Sequence, residues 1–183
     1  MNNSESYLSR SGSIWVRINQ SPNHKMIKNL LFLIFALSMA TFVQAGELAP
    51  SWQLTTQDGK TISLEQYKNK PVILHFWATW CPYCKRLQPK LNELQKKYQT
   101  SGIEILAISF NEDEGARPQD EIYARGYDFI TAVRGEAVAS LYGVRGTPTT
   151  FFIKRSGEVI YRSSSSDITN PKLELAVEEI IKN

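Results

Sequence analysis

The sequence predicts an α/β domain: a central mixed β-sheet with helices on both faces and an N-terminal β-hairpin extension. Three observations carry that expectation. Residues 71–78, PVILHFWA, and 103–110, IEILAISF, are near-continuous apolar runs of strand length, as expected of strands covered on both faces. Between them Leu87, Leu91, Leu94 and Tyr98 recur at spacings of four, three and four, which is one face of a helix. Ahead of them WQLTT and KTISL flank a turn with Asp58-Gly59 at its tip, a hairpin signal.

In chain order, the hairpin comes first, and 71–78 follows as a core strand with His75 as its polar interruption. A helix is expected from Pro82 to about Tyr98. Pro82 falls in the first turn, where a missing N–H costs nothing, and Pro89 inside the helix should kink it. The second buried strand is 103–110, a helix occupies 118–126, YDFITAV forms a short strand and GEAVASLYGV a brief helix. TTFFIK and EVIYR then pair across Arg155-Ser156-Gly157, and Leu173–Ile181 closes the chain as a helix. No repeat, low-complexity tract or linker interrupts this pattern.

The 183-residue chain has a formal charge of +3, all of it in residues 1–45, where Arg10, Arg17, Lys25 and Lys28 outnumber Glu5. Residues 46–183 balance 17 bases against 17 acids, which argues against a nucleic-acid footprint. Lys25 and Lys28 precede LLFLIFALSMATF (30–42), and the following VQA puts Val43 and Ala45 where signal peptidase takes small residues. Residues 26–45 are therefore expected to be a signal peptide cleaved after Ala45. An uncleaved N-terminal membrane anchor is the alternative, although the run is short of the ~20 residues a spanning helix needs. Residues 1–25, polar and patternless ahead of Met26, read as a disordered leader or a mis-assigned start. That leaves 46–183 as one domain, exported to an oxidising compartment, the periplasm or another part of the envelope.

The chain has two cysteines, Cys81 and Cys84. With 42% hydrophobic residues the domain can bury a real core, so it needs no staple. A disulfide across two intervening residues closes too small a loop to restrict the unfolded chain strongly. Structural zinc takes four Cys or His ligands, and 46–183 supplies Cys81, Cys84 and His75. A redox dithiol is what remains. Cys81 falls at a helix N-terminus, where unpaired N–H groups and the dipole stabilise a thiolate. Cys84 lies one turn further in, placed to attack a mixed disulfide at Cys81. Such exchange needs no bound cofactor.

FWATWCPYC at 76–84, at a strand-to-helix junction, resembles the thioredoxin superfamily. The rest of 47–183 is similar to its exported TlpA/ResA/CcmG (DsbE)-like branch of thiol–disulfide oxidoreductases. Two stretches carry the likeness: LAPSWQLTTQDGKTISLEQYKNKPVILHFWATWC, and YGVRGTPTTFFIKRSGEV at 142–159, in which the family's proline is cis. The resemblance implies a thioredoxin-like fold with Cys81 as nucleophile, Cys84 as resolving thiol and Cys81–Cys84 as the redox disulfide. Pro148 is then the cis-proline beside it, and the Thr147 backbone pairs with an extended stretch of client. Trp80 and Pro82 support the site, and Trp77 either frames it or belongs to the core. The implied partners are client proteins bearing disulfides or dithiols and a membrane electron donor of thiol-reductase type, with the protein itself a monomer. The client stays open among apocytochrome c, a sporulation or oxidase-assembly factor, and misfolded envelope proteins.

Two positions depart from the family pattern. The buried aspartate that thioredoxins carry just before FWA is here His75, and the glutamate of many ResA-like members is here Leu87. His75, with an unperturbed pKa of about 6.5, is either a proton relay or a strand histidine satisfied by a local hydrogen bond. Lys85 and Arg86 either favour the thiolate or are simply solvated. A peroxidase of the related redoxin fold would set its cysteine in P-x-x-x-T-x-x-C, which does not fit FWATWCPYC. A copper-binding module of this fold would use CxxxC and a distant histidine, although a bare dithiol can bind copper(I). The CPYC loop carries no charged donor between its cysteines, and 46–183 leaves no room for the inserted domain of DsbA-like oxidants. A reductase with a potential between about −200 and −270 mV is therefore expected, with a disulfide-forming oxidant as the alternative.

Overall fold

The computed structural model describes residues 46–182; the expected leader and signal segment, 1–45, lies outside the described residues. The Asp58-Gly59 hairpin joins β1 (Gln53–Thr56) to β2 (Thr61–Ser63), with Gly59 at φ +82°, a conformation that favours glycine. Leu64 leaves the strand and starts a 3-10 turn, Leu64–Tyr67, because Ser63 and Gln66 form a capping box there. The remaining elements are β3 (Val72–Trp77), α1 (Pro82–Lys97), β4 (Glu104–Ser109), α2 (Pro118–Ala124), β5 (Ile130–Val133), α3 (Glu136–Leu141), β6 (Thr149–Ile153), β7 (Val159–Ser163) and α4 (Pro171–Ile180). Each lies within a residue or a few of its sequence expectation. Pro89 remains within α1 on its exposed side, where water can serve the Lys85 carbonyl that the proline leaves free.

The strands form one sheet in the order β2-β1-β5-β4-β3-β6-β7. β3, β4 and β5 run parallel; β1 joins β5 and β6 joins β3 antiparallel, and β7 pairs antiparallel with β6, so the sheet is mixed as predicted. All six residues of β3 are buried, and their alternation divides the core in two. Ile73 and Trp77 pack with Leu87, Leu91 and Leu94 of α1, Ile122 of α2, and Leu173, Val177 and Ile180 of α4. Val72, Leu74 and Phe76 face the other way, toward Val138 and Ala139 of α3 and toward Trp52 and Ile62 beside and within the hairpin. Each fully buried leucine or isoleucine contributes about 1.5–3 kcal/mol, so both faces hold the sheet. Among the described residues no helix is long and apolar enough to cross a membrane.

This topology gathers three chain segments at one end of the sheet. The carboxyl ends of β3 and β4 lie side by side, with Trp77 opposite Ser109. β6 begins at Thr149, opposite Phe76, so the loop containing Pro148 reaches the same end.

Candidate active site

The turn after β3 builds the cysteine site. Cys81 N–H donates to the Ala78 carbonyl at 3.1 Å, closing the turn. Cys81 is then the N-cap of α1, and its sulfur accepts the Cys84 N–H at 3.1 Å. A helix N-terminus leaves N–H groups without helical partners, and here one of them points at sulfur. Pro82 follows at the first helical position, exposed. Cys81 and Cys84 form a disulfide with Cα atoms 5.4 Å apart. Access barely distinguishes the two, since Cys81 is 2% and Cys84 0% exposed. What separates the two is position: one caps the helix, the other is inside its first turn.

Around them, Trp80 and Tyr83 are the exposed aromatics, at 51% and 55%. The Trp80 indole N–H donates to the Asn111 carbonyl at 2.8 Å, and the Arg86 guanidinium lies 5.7 Å from the Tyr83 ring centroid. Lys85 and Arg86 are exposed, and Trp77 is fully buried in the core cluster that contains both cysteines. The Thr147–Pro148 peptide bond is cis. Pro148 is buried and Thr147 half-buried, while the Thr149 hydroxyl ties the loop back to the Gly146 carbonyl at 2.8 Å.

His75 is completely buried on the same strand face as Ile73 and Trp77. Its Nδ1 lies 3.0 Å from the Thr150 hydroxyl, its register partner on β6, and Nε2 has no partner. Desolvation lowers its pKa from 6.5 to about 3, so the imidazole is neutral at physiological pH. The Thr150 bond is the local satisfaction that one reading of this histidine anticipates; the open Nε2 is what the relay reading requires.

Glu112, three residues beyond β4, stands in no motif of the sequence yet reaches the turn before Cys81. Its carboxylate accepts the Thr79 N–H on both oxygens, at 2.9 and 3.0 Å, and the hydroxyls of Thr79 and Ser109 at 2.5 Å each. One signal could have found it: the carboxyl ends of parallel strands are where such folds place their sites. Among the described residues no group of His, Cys, Asp and Glu gathers to hold a metal ion.

A sheet of this order, with a Cys-Pro-Tyr-Cys pair capping its longest helix, defines a thioredoxin-like thiol–disulfide oxidoreductase. Residues 45–162 match the AhpC/TSA family, and the chain belongs to it. Thiol-disulfide oxidoreductase ResA of Bacillus thuringiensis (strain Al Hakam) is 37% identical over 119 residues, 64% of this chain and 68% of that one. ResA of Geobacillus thermodenitrificans is 38% identical over 122 residues, 65% of this chain and 68% of the relative. Among solved structures, a protein of Chlorobium tepidum assigned as the thiol:disulfide interchange protein DsbE superposes with a TM-score of 0.66 at 28% identity. It covers 75% of this chain and 97% of its own.

Proposed function

We propose that this oxidoreductase is a reductase of protein disulfides in the bacterial envelope, acting through Cys81 and Cys84. The observation that carries the reading is the Cys81 sulfur at the α1 N-cap, accepting the Cys84 N–H. In the reduced protein the same donor and the helix dipole favour a thiolate at Cys81. That thiolate attacks one sulfur of a client disulfide; a Cys81–client bond forms and the client's second sulfur leaves as a thiolate. Cys84, deprotonated, attacks Cys81 Sγ, forming the Cys81–Cys84 disulfide and releasing the client's first sulfur. Two electrons pass to the client, and a membrane donor of thiol-reductase type restores the dithiol.

Supporting residues have distinct parts in this scheme. Trp80 and Pro82 give the client an exposed apolar approach, and Thr147, ahead of the buried Pro148, offers backbone to an extended client segment. His75 serves only as a transient acceptor of the Cys84 proton through Nε2. With a pKa of about 3, keeping a proton there at pH 7 costs about 5 kcal/mol. The envelope location is supported by the Lys-flanked apolar run ending in VQA, which makes 26–45 a signal peptide and 46–183 the mature domain, a monomer. The reducing direction is supported by Pro82 and Tyr83, which place no cation between the cysteines.

Two measurements test this. Cys84→Ser should accumulate mixed disulfides with clients through Cys81, whereas Cys81→Ser should abolish insulin-disulfide reduction. Equilibration of the wild type with glutathione should give a potential between about −200 and −270 mV. Stable adducts on Cys84 would reverse the roles of the two cysteines, and a potential above about −150 mV would make the protein an oxidant.

A further inference from the structure

After β4 the chain doubles back across the loop that leads into Cys81. Phe110 N–H donates to the Trp77 carbonyl at 3.3 Å, the Trp80 indole reaches the Asn111 carbonyl, and Glu112 takes both donors of Thr79. Asn111 sits at φ +53°, a left-handed conformation uncommon outside glycine, and its N–H is held by the Glu136 carboxylate at 2.9 Å. The Thr79–Trp80 stretch is thus fixed from the side by a neighbouring strand end, and Glu112 is the centre of that fixation. No step of the exchange scheme above uses it.

Glu112 also brings a charge. With four donor contacts and no donated bond it acts as an acceptor-only carboxylate, tied to a residue two positions before Cys81. A like charge near a developing thiolate disfavours it, and a less stable reduced form makes a dithiol couple more reducing. We propose that Glu112 is a positioning residue with two effects: it fixes the Thr79–Cys81 turn, and its negative charge opposes the Cys81 thiolate and keeps the couple reducing. The inference rests on Cys81 being the attacking thiol.

The test compares the wild type with Glu112→Gln and Glu112→Asp, leaving the neighbouring charges Lys85, Arg86 and Glu136 in place. Glutamine keeps the shape and loses the charge; aspartate keeps the charge and loses the reach. For Glu112→Gln the pH midpoint of Cys81 alkylation in the reduced protein should fall by about one unit. Its equilibrium with glutathione should move about tenfold toward the reduced protein. Glu112→Asp should leave that midpoint near the wild type and slow disulfide exchange severalfold, because the turn is no longer held. A folded Glu112→Gln protein with an unchanged midpoint and an unchanged glutathione equilibrium overturns the electrostatic part. Should the glutamine variant not fold, the aspartate variant decides, and an unchanged exchange rate overturns the positioning part. Exchange that survives Cys81→Ser would instead overturn the dithiol reading, and this inference with it.

Discussion

The two faces of the sheet share strands and hold different chemistry. On the α3 side, Phe76, Phe110, Tyr142 and Phe151 pack ring against ring, with centroids 5.2 to 6.2 Å apart. Burial raises the Tyr142 phenol above its ordinary pKa, so it stays a neutral donor, and its hydroxyl reaches the Pro50 carbonyl at 2.6 Å. On the α1 and α4 side the same strands bury the disulfide, His75 and Thr131, and polar atoms there go unpartnered: His75 Nε2, Trp77 Nε1 and Thr131 Oγ1. The α3 side is not free of this, since Trp52 Nε1 lacks a partner too. The contrast nevertheless teaches how a small fold divides its work. Strand alternation sends Phe76 to one face and His75 and Trp77 to the other, so the redox chemistry is confined to one of two layers that both hold the sheet.

The sharpest way to break that division is Phe76→Ala. Phe76 is fully buried and packs edge-on or tilted against three other rings, so truncation should cost about 3–5 kcal/mol. Urea unfolding reads the loss, and insulin-disulfide reduction by the folded fraction should hold near the wild-type rate. A collapse of exchange in protein that is still fully folded would show that the layers are not separable.

A smaller effect belongs to the other face. Folded His75 stays neutral down to about pH 3, whereas in the unfolded chain it protonates near 6.5. Below pH 6.5 the unfolded state therefore binds the extra proton. Stability is complete above that pH and falls as pH drops toward 3, by about 1.4 kcal/mol per unit. Asp58 and Glu179, held at about 2 by their bonds to Lys60 and Lys182, add to the loss only as the pH falls through their ordinary values of 3.8 and 4.5 toward 2. Between pH 6.5 and about 5 the wild type should thus lose about 2 kcal/mol, and His75→Asn, which cannot titrate there, should stay flat. Matching slopes in the two proteins would remove His75 as the source.

Much of this was legible in the sequence because the signals were local. The Asp58-Gly59 turn, the apolar runs of β3 and β4, the helical period of α1 and Pro82 at its start each act within a few residues. The cysteine pair, the exposed Trp80 and the Thr147-Pro148 loop were legible through motif and resemblance. Contacts made by register or by loop approach were not. Thr150 meets His75 because β6 pairs with β3 across 75 positions of chain, and Glu112 meets Thr79 because two strand ends lie side by side. No short window of sequence contains either relation.

The smallest effect concerns Thr131, which tests whether the polar atoms of the enzymatic face are tolerated or built. Thr131 pairs with Ala107 on β4, and Ala107 pairs with His75 on β3, so the three lie in one row across the sheet. Its backbone N–H donates to the Gln119 side-chain oxygen at 2.7 Å, but its buried hydroxyl has no protein partner. Leaving such a group unsatisfied costs about 1–3 kcal/mol, and valine offers a similar shape without it. Thr131→Val keeps the Gln119 bond, which uses only backbone, and should gain up to about 1 kcal/mol in urea unfolding with exchange unchanged. A loss of more than about 1 kcal/mol would mean that the hydroxyl is engaged in the folded protein. The polar groups buried on that face, His75 and Thr131, would then be constructed rather than tolerated, and the two faces would differ by design in their polar groups as well as in their cysteines.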